Sequence, residues 1–82
     1  MPVAVIPELV EQKVVETLAT FGPEPDQITR DATFESLDID SLDLVELAQV
    51  VDEEFGVALK GDDMKGIRTV GDAIELVVAR GA

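Results

Sequence analysis

Residues 38–47 read DIDSLDLVEL and place one serine, Ser41, between acidic residues at the start of an amphipathic helix. Asp40 is a good N-cap residue, and Asp43, three residues later, reinforces the helix start. The helix is predicted to end before Gly56, a residue suited to a left-handed C-cap. We therefore expect Ser41 to lie where a loop becomes a helix, with its hydroxyl outside the fold.

The composition predicts one small globular domain with a strongly negative surface. The 82 residues should form a single domain, 1–82, of which residues 1–7 are expected to be a loosely ordered extension. A hydrophobic content of 46% is too high for a disordered acidic tail. The net charge of −12 disfavours nucleic acid and anionic membranes and favours basic partners. Half of the 18 acidic residues lie between Arg30 and Lys60, a span without any basic residue.

The absence of Cys and His narrows the chemistry that the chain can perform. Disulfides, thiolate catalysis and the Ser–His arrangement are excluded, and no nucleophile–base pair can be assembled. An exposed but unactivated serine is therefore more plausible as a target of chemistry than as its agent, and we do not expect an enzyme. No signal peptide or membrane span is recognised in the sequence, so a cytoplasmic protein is the default expectation.

Hydrophobic periodicity predicts an all-α bundle of three main helices plus one short one. The first helix should start after Pro7, a good first-turn residue, and run to about Phe21. The second helix should span 41–55, and the last should run from Thr69, with Asp72 in a capping position, to Gly81. One short helical turn is expected around 62–65. The long connection 22–40 should be held to the core by its apolar residues, Ile28, Ala32, Phe34 and Leu37.

The second helix has three distinguishable faces. The predicted core stripe is Leu44, Leu47, Ala48, Val51 and Phe55. The acidic side chains of Asp43, Glu46, Glu53 and Glu54 gather on the opposite side. A third strip beside Ser41 consists of Leu42, Val45 and Gln49. Leu42 and Val45 are either buried under the 22–40 connection or form an apolar docking surface flanked by carboxylates.

A phosphate on Ser41 would lie at a helix N-terminus, where free backbone N–H groups favour an anion. Asp38, Asp40 and Asp43 would oppose it electrostatically. A singly charged phosphodiester should therefore be tolerated better than a phosphomonoester.

The run Asp40-Ser41-Leu42, followed by this acidic helix, resembles the acyl carrier protein family. The resemblance continues through 34–37, 52–57 and 69–74. It implies a four-helix bundle whose serine carries 4′-phosphopantetheine, attached from coenzyme A by a magnesium-dependent phosphopantetheinyl transferase. The thiol of that arm would carry acyl or polyketide intermediates as thioesters, which explains how a chain without Cys could take part in thioester chemistry.

The resemblance also implies roles for particular residues. Ser41 matches the attachment position, with Asp40 and Leu42 beside it, and no metal ligand is expected. Partner enzymes such as acyltransferase and ketosynthase would bind through their own basic patches. The surface of this chain that they would contact is formed by Asp43, Val45, Glu46, Gln49, Glu53 and Glu54. The protein is expected to be a monomer that binds neither nucleic acid nor membrane.

Three departures from the family pattern bear on the pathway. Asp38 replaces a common Gly, Gln49 a common Met, and Lys60-Gly61 a Pro-led turn. They favour a discrete carrier of polyketide, antibiotic or other specialised biosynthesis slightly over one of fatty acid biosynthesis and lipid metabolism.

Three other interpretations remain. A peptidyl or aminoacyl carrier would share the arm, although the sequence before Ser41 is atypical for one. A divalent-cation site of the EF-hand type would need ligands or glycine at three positions occupied by Leu42, Asp43 and Gln49. An unmodified acidic adaptor would use the same helix face without needing Ser41.

Overall fold

The computed structural model describes residues 5–81, which form four α-helices. These are α1 (Pro7–Ala19), α2 (Ser41–Phe55), α3 (Gly61–Lys65) and α4 (Val70–Gly81), with a 3₁₀ turn at Pro25–Gln27. Within residues 5–81 there is no strand, although an isolated β-bridge joins Thr33 to Thr69. The predicted all-α four-helix architecture is confirmed. None of the helices described is long and apolar enough to cross a membrane.

The first helix begins at Pro7, one residue earlier than predicted, and ends at Ala19, two residues before the predicted end. Pro7 occupies its first turn, where the missing N–H costs no hydrogen bond. After Ala19 the chain tightens, because the N–H of Thr20 donates to the carbonyl of Thr17 (3.1 Å) and that of Phe21 to Leu18 (3.0 Å). These bonds span three residues instead of four, so the helix ends before Phe21.

The expected N-terminal extension lies only partly within the described residues. Residues 1–4 are outside them. Val5 packs against the core, and Pro7 already belongs to α1.

The core lies between α1, α2 and α4. Each helix contributes one apolar stripe, and the pattern predicted for α2 is confirmed: Leu47, Val51 and Phe55 are buried, whereas Leu44 and Ala48 are half-buried. The stripes of α1 and α4 supply the other buried apolar helical residues, Val10, Val14, Leu18, Val70, Ala73, Ile74 and Val77. Gly56 ends α2 in the left-handed region (φ 70°), and its N–H donates to Asp52.

The long connection between α1 and α2 is fixed to the start of α4. Its predicted anchors Ile28, Phe34 and Leu37 are buried and Ala32 is half-buried; Ile39, which periodicity did not single out, is buried as well. Backbone hydrogen bonds run from Phe34 N–H to the Arg68 carbonyl (3.0 Å), from Val70 to Ala32 (3.0 Å) and from Gly71 to Arg30 (2.9 Å).

Gly71 is required by this close approach. A Cβ at that position would lie 3.0 Å from the carbonyl oxygen of Arg30, so a larger residue would push the connection away from α4.

The start of α4 is capped as the sequence predicts. The Asp72 N–H donates to the Thr69 hydroxyl oxygen (3.1 Å), and one Asp72 carboxylate oxygen accepts from the N–H groups of Arg68 (3.1 Å) and Thr69 (3.2 Å). These two backbone donors, Arg68 first, lower the pKa of Asp72 below its ordinary value.

The lowered pKa predicts how the contribution of Asp72 to stability depends on pH. In the unfolded chain the carboxyl should titrate near its ordinary pKa of about 3.9. Because the folded pKa is lower, the stabilisation is fully present above the unfolded value and is lost as the pH falls through the folded value. We expect the difference in unfolding free energy between the native protein and Asp72→Ala, measured with urea, to be constant near neutral pH and to shrink in acid. Asp72→Asn, which keeps an acceptor but cannot ionise, is the control. A difference that grew in acid would contradict this role.

Candidate functional site

Ser41 is the first residue of α2, and its side chain is exposed. Its hydroxyl forms no hydrogen bond with any group in residues 5–81. The serine is therefore displayed at the loop-to-helix junction, as the sequence predicts, and no side chain within residues 5–81 accepts a hydrogen bond from it.

A reciprocal capping box fixes the position of Ser41. The Asp43 N–H donates to an Asp40 carboxylate oxygen (2.9 Å), and the Asp40 N–H donates more weakly to Asp43 (3.4 Å). The Leu44 N–H then makes the first helical hydrogen bond, to the Asp40 carbonyl (3.1 Å). The N–H groups of Ser41 and Leu42 are left without an acceptor in the described chain, and they are the donors available at this helix start.

The backbone reverses sharply just before the cap. Asp38 has φ of +61°, a left-handed conformation that is costly for a residue with a side chain. The turn is closed by hydrogen bonds from Asp38 N–H to Glu35 (3.1 Å) and from Ile39 N–H to Phe34 (2.9 Å). Ile39 thereby enters the core while Ser41, two residues later, remains outside. A glycine at this position would adopt the same conformation with less strain.

Leu42 and Val45 are exposed, at 75% and 53% of their accessible surface. The alternative in which the 22–40 connection covers them is therefore wrong. That connection packs on α4 and the core instead, as its hydrogen bonds to Arg68, Val70 and Gly71 show.

The acidic residues expected to meet partners differ in their environments. Glu46 and Glu53 are exposed. Asp43 is half-buried and engaged in the cap, and Glu54 forms an ion pair with Lys13 of α1 (3.3 Å). The sequence alone could not distinguish the paired Glu54 from the exposed Glu46 and Glu53, because Lys13 and Glu54 are far apart in the chain.

A largely apolar groove lies between α2 and the stretch 58–64, which includes the first residues of α3. Its volume is about 320 Å³, and its lining includes Val45, Ala48 and Gln49 from α2 with Leu59 and Met64 from across the groove. Sequence reasoning identified neither Leu59 nor Met64, since 57–68 lacks a periodic pattern. Their apolar character in a polar stretch was the one available signal.

A second groove, of about 430 Å³, reaches α2 at Leu44, in the first turn of the helix. It is lined by Phe34 and Glu35 of the connection, by Leu44, and by Ile67 and Arg68. Sequence reasoning did not select Arg68 either, because its proximity to α2 depends on tertiary packing.

The acidic clusters do not form a recognisable metal site. Within residues 5–81, no three carboxylate side chains come together in a way that could hold a cation. The divalent-cation interpretation thus gains no support from this part of the chain.

Comparison with known proteins gives a consistent result. Residues 8–77 match the family model described as "Phosphopantetheine attachment site". The meromycolate extension acyl carrier protein of Mycolicibacterium aurum is 36% identical over 73 residues, which cover 82% of this chain and 75% of the relative. The acyl carrier protein of Rhodococcus erythropolis is 42% identical over 57 residues, covering 68% of this chain and 63% of the relative.

A third relative, the meromycolate extension acyl carrier protein of Mycobacterium tuberculosis, is also 42% identical over 57 residues. That alignment covers 68% of this chain and 50% of the relative. The chain thus spans between half and three quarters of the length of these relatives.

The residues at the start of α2 fit a phosphopantetheine group. Within the described residues, the exposed Ser41 hydroxyl has no competing hydrogen bond, and the N–H groups of Ser41 and Leu42 have no acceptor. Two grooves lie beside the same helix. The match over 8–77 and the three acyl carrier relatives show that the chain belongs to the acyl carrier protein family, whose members carry 4′-phosphopantetheine as their prosthetic group.

Proposed function

We propose that Ser41 is the residue that carries the 4′-phosphopantetheine arm. The observation that supports this most directly is the exposed Ser41 hydroxyl at the first position of α2, held there by the Asp40–Asp43 capping box. Ser36, the other serine of the chain, lies in a turn, and its hydroxyl donates to the Thr33 carbonyl (2.8 Å).

In this role the chain supplies position, and a transferase supplies activation. The Ser41 oxygen would attack the phosphorus atom on the pantetheine side of the pyrophosphate of coenzyme A. A phosphodiester to Ser41 would form as the pyrophosphate bond breaks, and adenosine 3′,5′-bisphosphate would leave. The Asp40 and Asp43 carboxylates would keep accepting backbone N–H groups. Because the nearby Asp40 and Asp43 carboxylates accept backbone N–H groups and not the Ser41 hydroxyl, we assign the base that removes the hydroxyl proton to the transferase. The arm supplies the thiol for thioester formation. We infer that the protein is a carrier without catalytic activity of its own.

The attachment site can be tested by intact-mass measurement after incubation with coenzyme A, magnesium and a broad-specificity phosphopantetheinyl transferase. We expect the native protein and Ser36→Ala to gain the mass of one phosphopantetheine group, and Ser41→Ala to gain nothing. Ser36→Ala controls for the loss of an exposed hydroxyl near the same loop.

Loading of Ser41→Ala would refute attachment at this residue. Absence of loading in the native protein would favour the unmodified adaptor, which requires no modification to bind its partner.

We propose that partner enzymes dock on the exposed face of α2 next to Ser41. Leu42 and Val45 would supply apolar contact, Glu46 and Glu53 would steer basic patches, and Gln49 would make a polar contact at the groove. Asp43 and Glu54 should contribute less, because each is already engaged within the chain. The proposed partners are the phosphopantetheinyl transferase and synthase enzymes such as acyltransferase and ketosynthase.

Reversal of one exposed charge tests the steering role. We expect Glu46→Lys to lower kcat/KM of the transferase by about 3–10-fold at low salt, with a smaller effect at high salt because surface charges are screened. Glu16→Lys, an exposed site on α1, makes the same change in net charge away from the proposed surface and should have little effect. Equal losses in the two variants would mean that only the overall charge matters.

Truncation of Leu42 separates docking from folding. Because Leu42 is 75% exposed, Leu42→Ala should change the unfolding free energy by less than about 0.5 kcal/mol while raising KM for the transferase several-fold. Leu47→Ala, in the same helix but 2% exposed, should cost about 2–5 kcal/mol. A large loss of stability in Leu42→Ala would show that this side chain supports the fold instead of a docking surface.

The relatives' names favour a role in extending acyl chains, and we propose lipid synthesis as the pathway class. A polyketide or other specialised carrier is the second candidate, favoured by the polar side chains of Gln49 and Asp52 at the groove beside Val45. The cytoplasmic location and the single-domain organisation over 1–82 stay predictions.

A further inference from the structure

A phosphodiester on Ser41 would enter negative surroundings. Asp38, Asp40 and Asp43 lie within three residues of it, and the Asp40 carboxylate already occupies the N–H of Asp43. The N–H groups of Ser41 and Leu42 offer only partial positive charge. A full positive charge nearby would therefore matter for holding the phosphodiester, and the inference below rests on the attachment proposed at Ser41.

Three of the six basic residues already form ion pairs within the chain. Lys13 pairs with Glu54 (3.3 Å), Arg30 with Glu11 (3.1 Å) and Arg80 with Asp63. In the part of the chain that the structure describes, the remaining three, Lys60, Lys65 and Arg68, have no carboxylate oxygen within ion-pair distance.

Among these three, Arg68 is connected to the Ser41 segment by two consecutive backbone hydrogen bonds. Its carbonyl accepts from Phe34 N–H (3.0 Å), and the Phe34 carbonyl accepts from Ile39 N–H (2.9 Å), two residues before Ser41. The Arg68 N–H is also fixed, by Asp72 (3.1 Å). The main chain of Arg68 is therefore held in place while its side chain remains exposed.

Arg68 also lines the groove that reaches the first turn of α2. Leu44, three residues after Ser41 and so on a neighbouring part of the helix surface, lines the same groove. Neither Lys60 nor Lys65 belongs to its lining. Glu35 does line it, and Asp72 is close enough to Arg68 for the guanidinium charge to help lower the pKa of its carboxyl. These two carboxylates are the negative charges that the phosphodiester would have to compete with for Arg68.

We propose that the guanidinium of Arg68 binds the phosphodiester of the arm on Ser41 and acts as a positioning residue for it. An Arg guanidinium offers a planar set of N–H donors that matches two phosphate oxygens, and such charge-assisted bonds are among the stronger ones. This contact would neutralise the added charge and restrict the direction in which the arm leaves the helix.

The test compares thermal unfolding before and after loading. We expect loading to raise Tm by about 2–4 °C more in the native protein than in Arg68→Gln, a difference typical of one partly exposed ionic contact in a domain of this size. Lys65→Gln removes the same charge three residues away and should behave like the native protein. Arg68→Lys should retain part of the effect, and high salt should reduce it in the native protein.

A spectroscopic measurement makes the test independent of stability. In NMR spectra, loading should shift the Arg68 side-chain Nε–H signal, and the ³¹P signal of the loaded protein should differ between the native protein and Arg68→Gln but not between the native protein and Lys65→Gln.

The outcomes separate this inference from the function on which it rests. If the native protein loads but Arg68→Gln shows the same Tm change and the same ³¹P signal, Arg68 does not bind the phosphodiester and attachment at Ser41 still stands. If the native protein does not load at all, both proposals fail. Equal effects of Arg68→Gln and Lys65→Gln would show that only the general field of the surface is involved, which also overturns the specific contact.

Discussion

The structure depends on the backbone hydrogen bonds that tie the α1–α2 connection to the start of α4. The hydrogen bonds between Phe34 and Arg68, Ala32 and Val70, and Arg30 and Gly71 align the long segment before α2 with the start of α4. Ordering a segment of this length costs conformational entropy. Its buried apolar residues hold it against the core, but they do not by themselves fix its register relative to α4. The hydrogen bonds fix that register, and the capping box of Asp40 and Asp43 then presents Ser41 at a defined place.

The charge distribution on the surface depends on where the few basic residues are placed. Three of the six cations connect elements that are distant in sequence, through the pairs Lys13–Glu54, Arg30–Glu11 and Arg80–Asp63. The exposed acids of α2 are consequently left largely uncompensated. Such a field contributes little to the fold, but it raises the encounter rate with basic surfaces, and it also makes a nearby cation valuable to an anionic group on Ser41.

Because Leu42 and Val45 are exposed, this small domain forgoes the stabilisation that burial of both side chains would contribute. Full burial of such a side chain contributes about 1.5–3 kcal/mol, and a domain of this size has a limited core. The chain leaves both residues exposed beside a displayed serine while filling its core with the adjacent stripe of Leu47, Val51 and Phe55. An apolar surface in that position is more consistent with docking than with a defect of packing.

The sequence by itself determined the features that depend on neighbours along the chain. The starts of α2 at Ser41 and of α4 at Val70 follow from capping side chains that lie within three residues of each other. The core stripe of α2 follows from helical periodicity. Only the tertiary structure decided that Leu42 is exposed, that Ile39 is buried, that Glu54 pairs with Lys13 and that Arg68 lies beside the first turns of α2. Those facts depend on which segments pack together across long separations, and residue order along one helix carries no record of that packing.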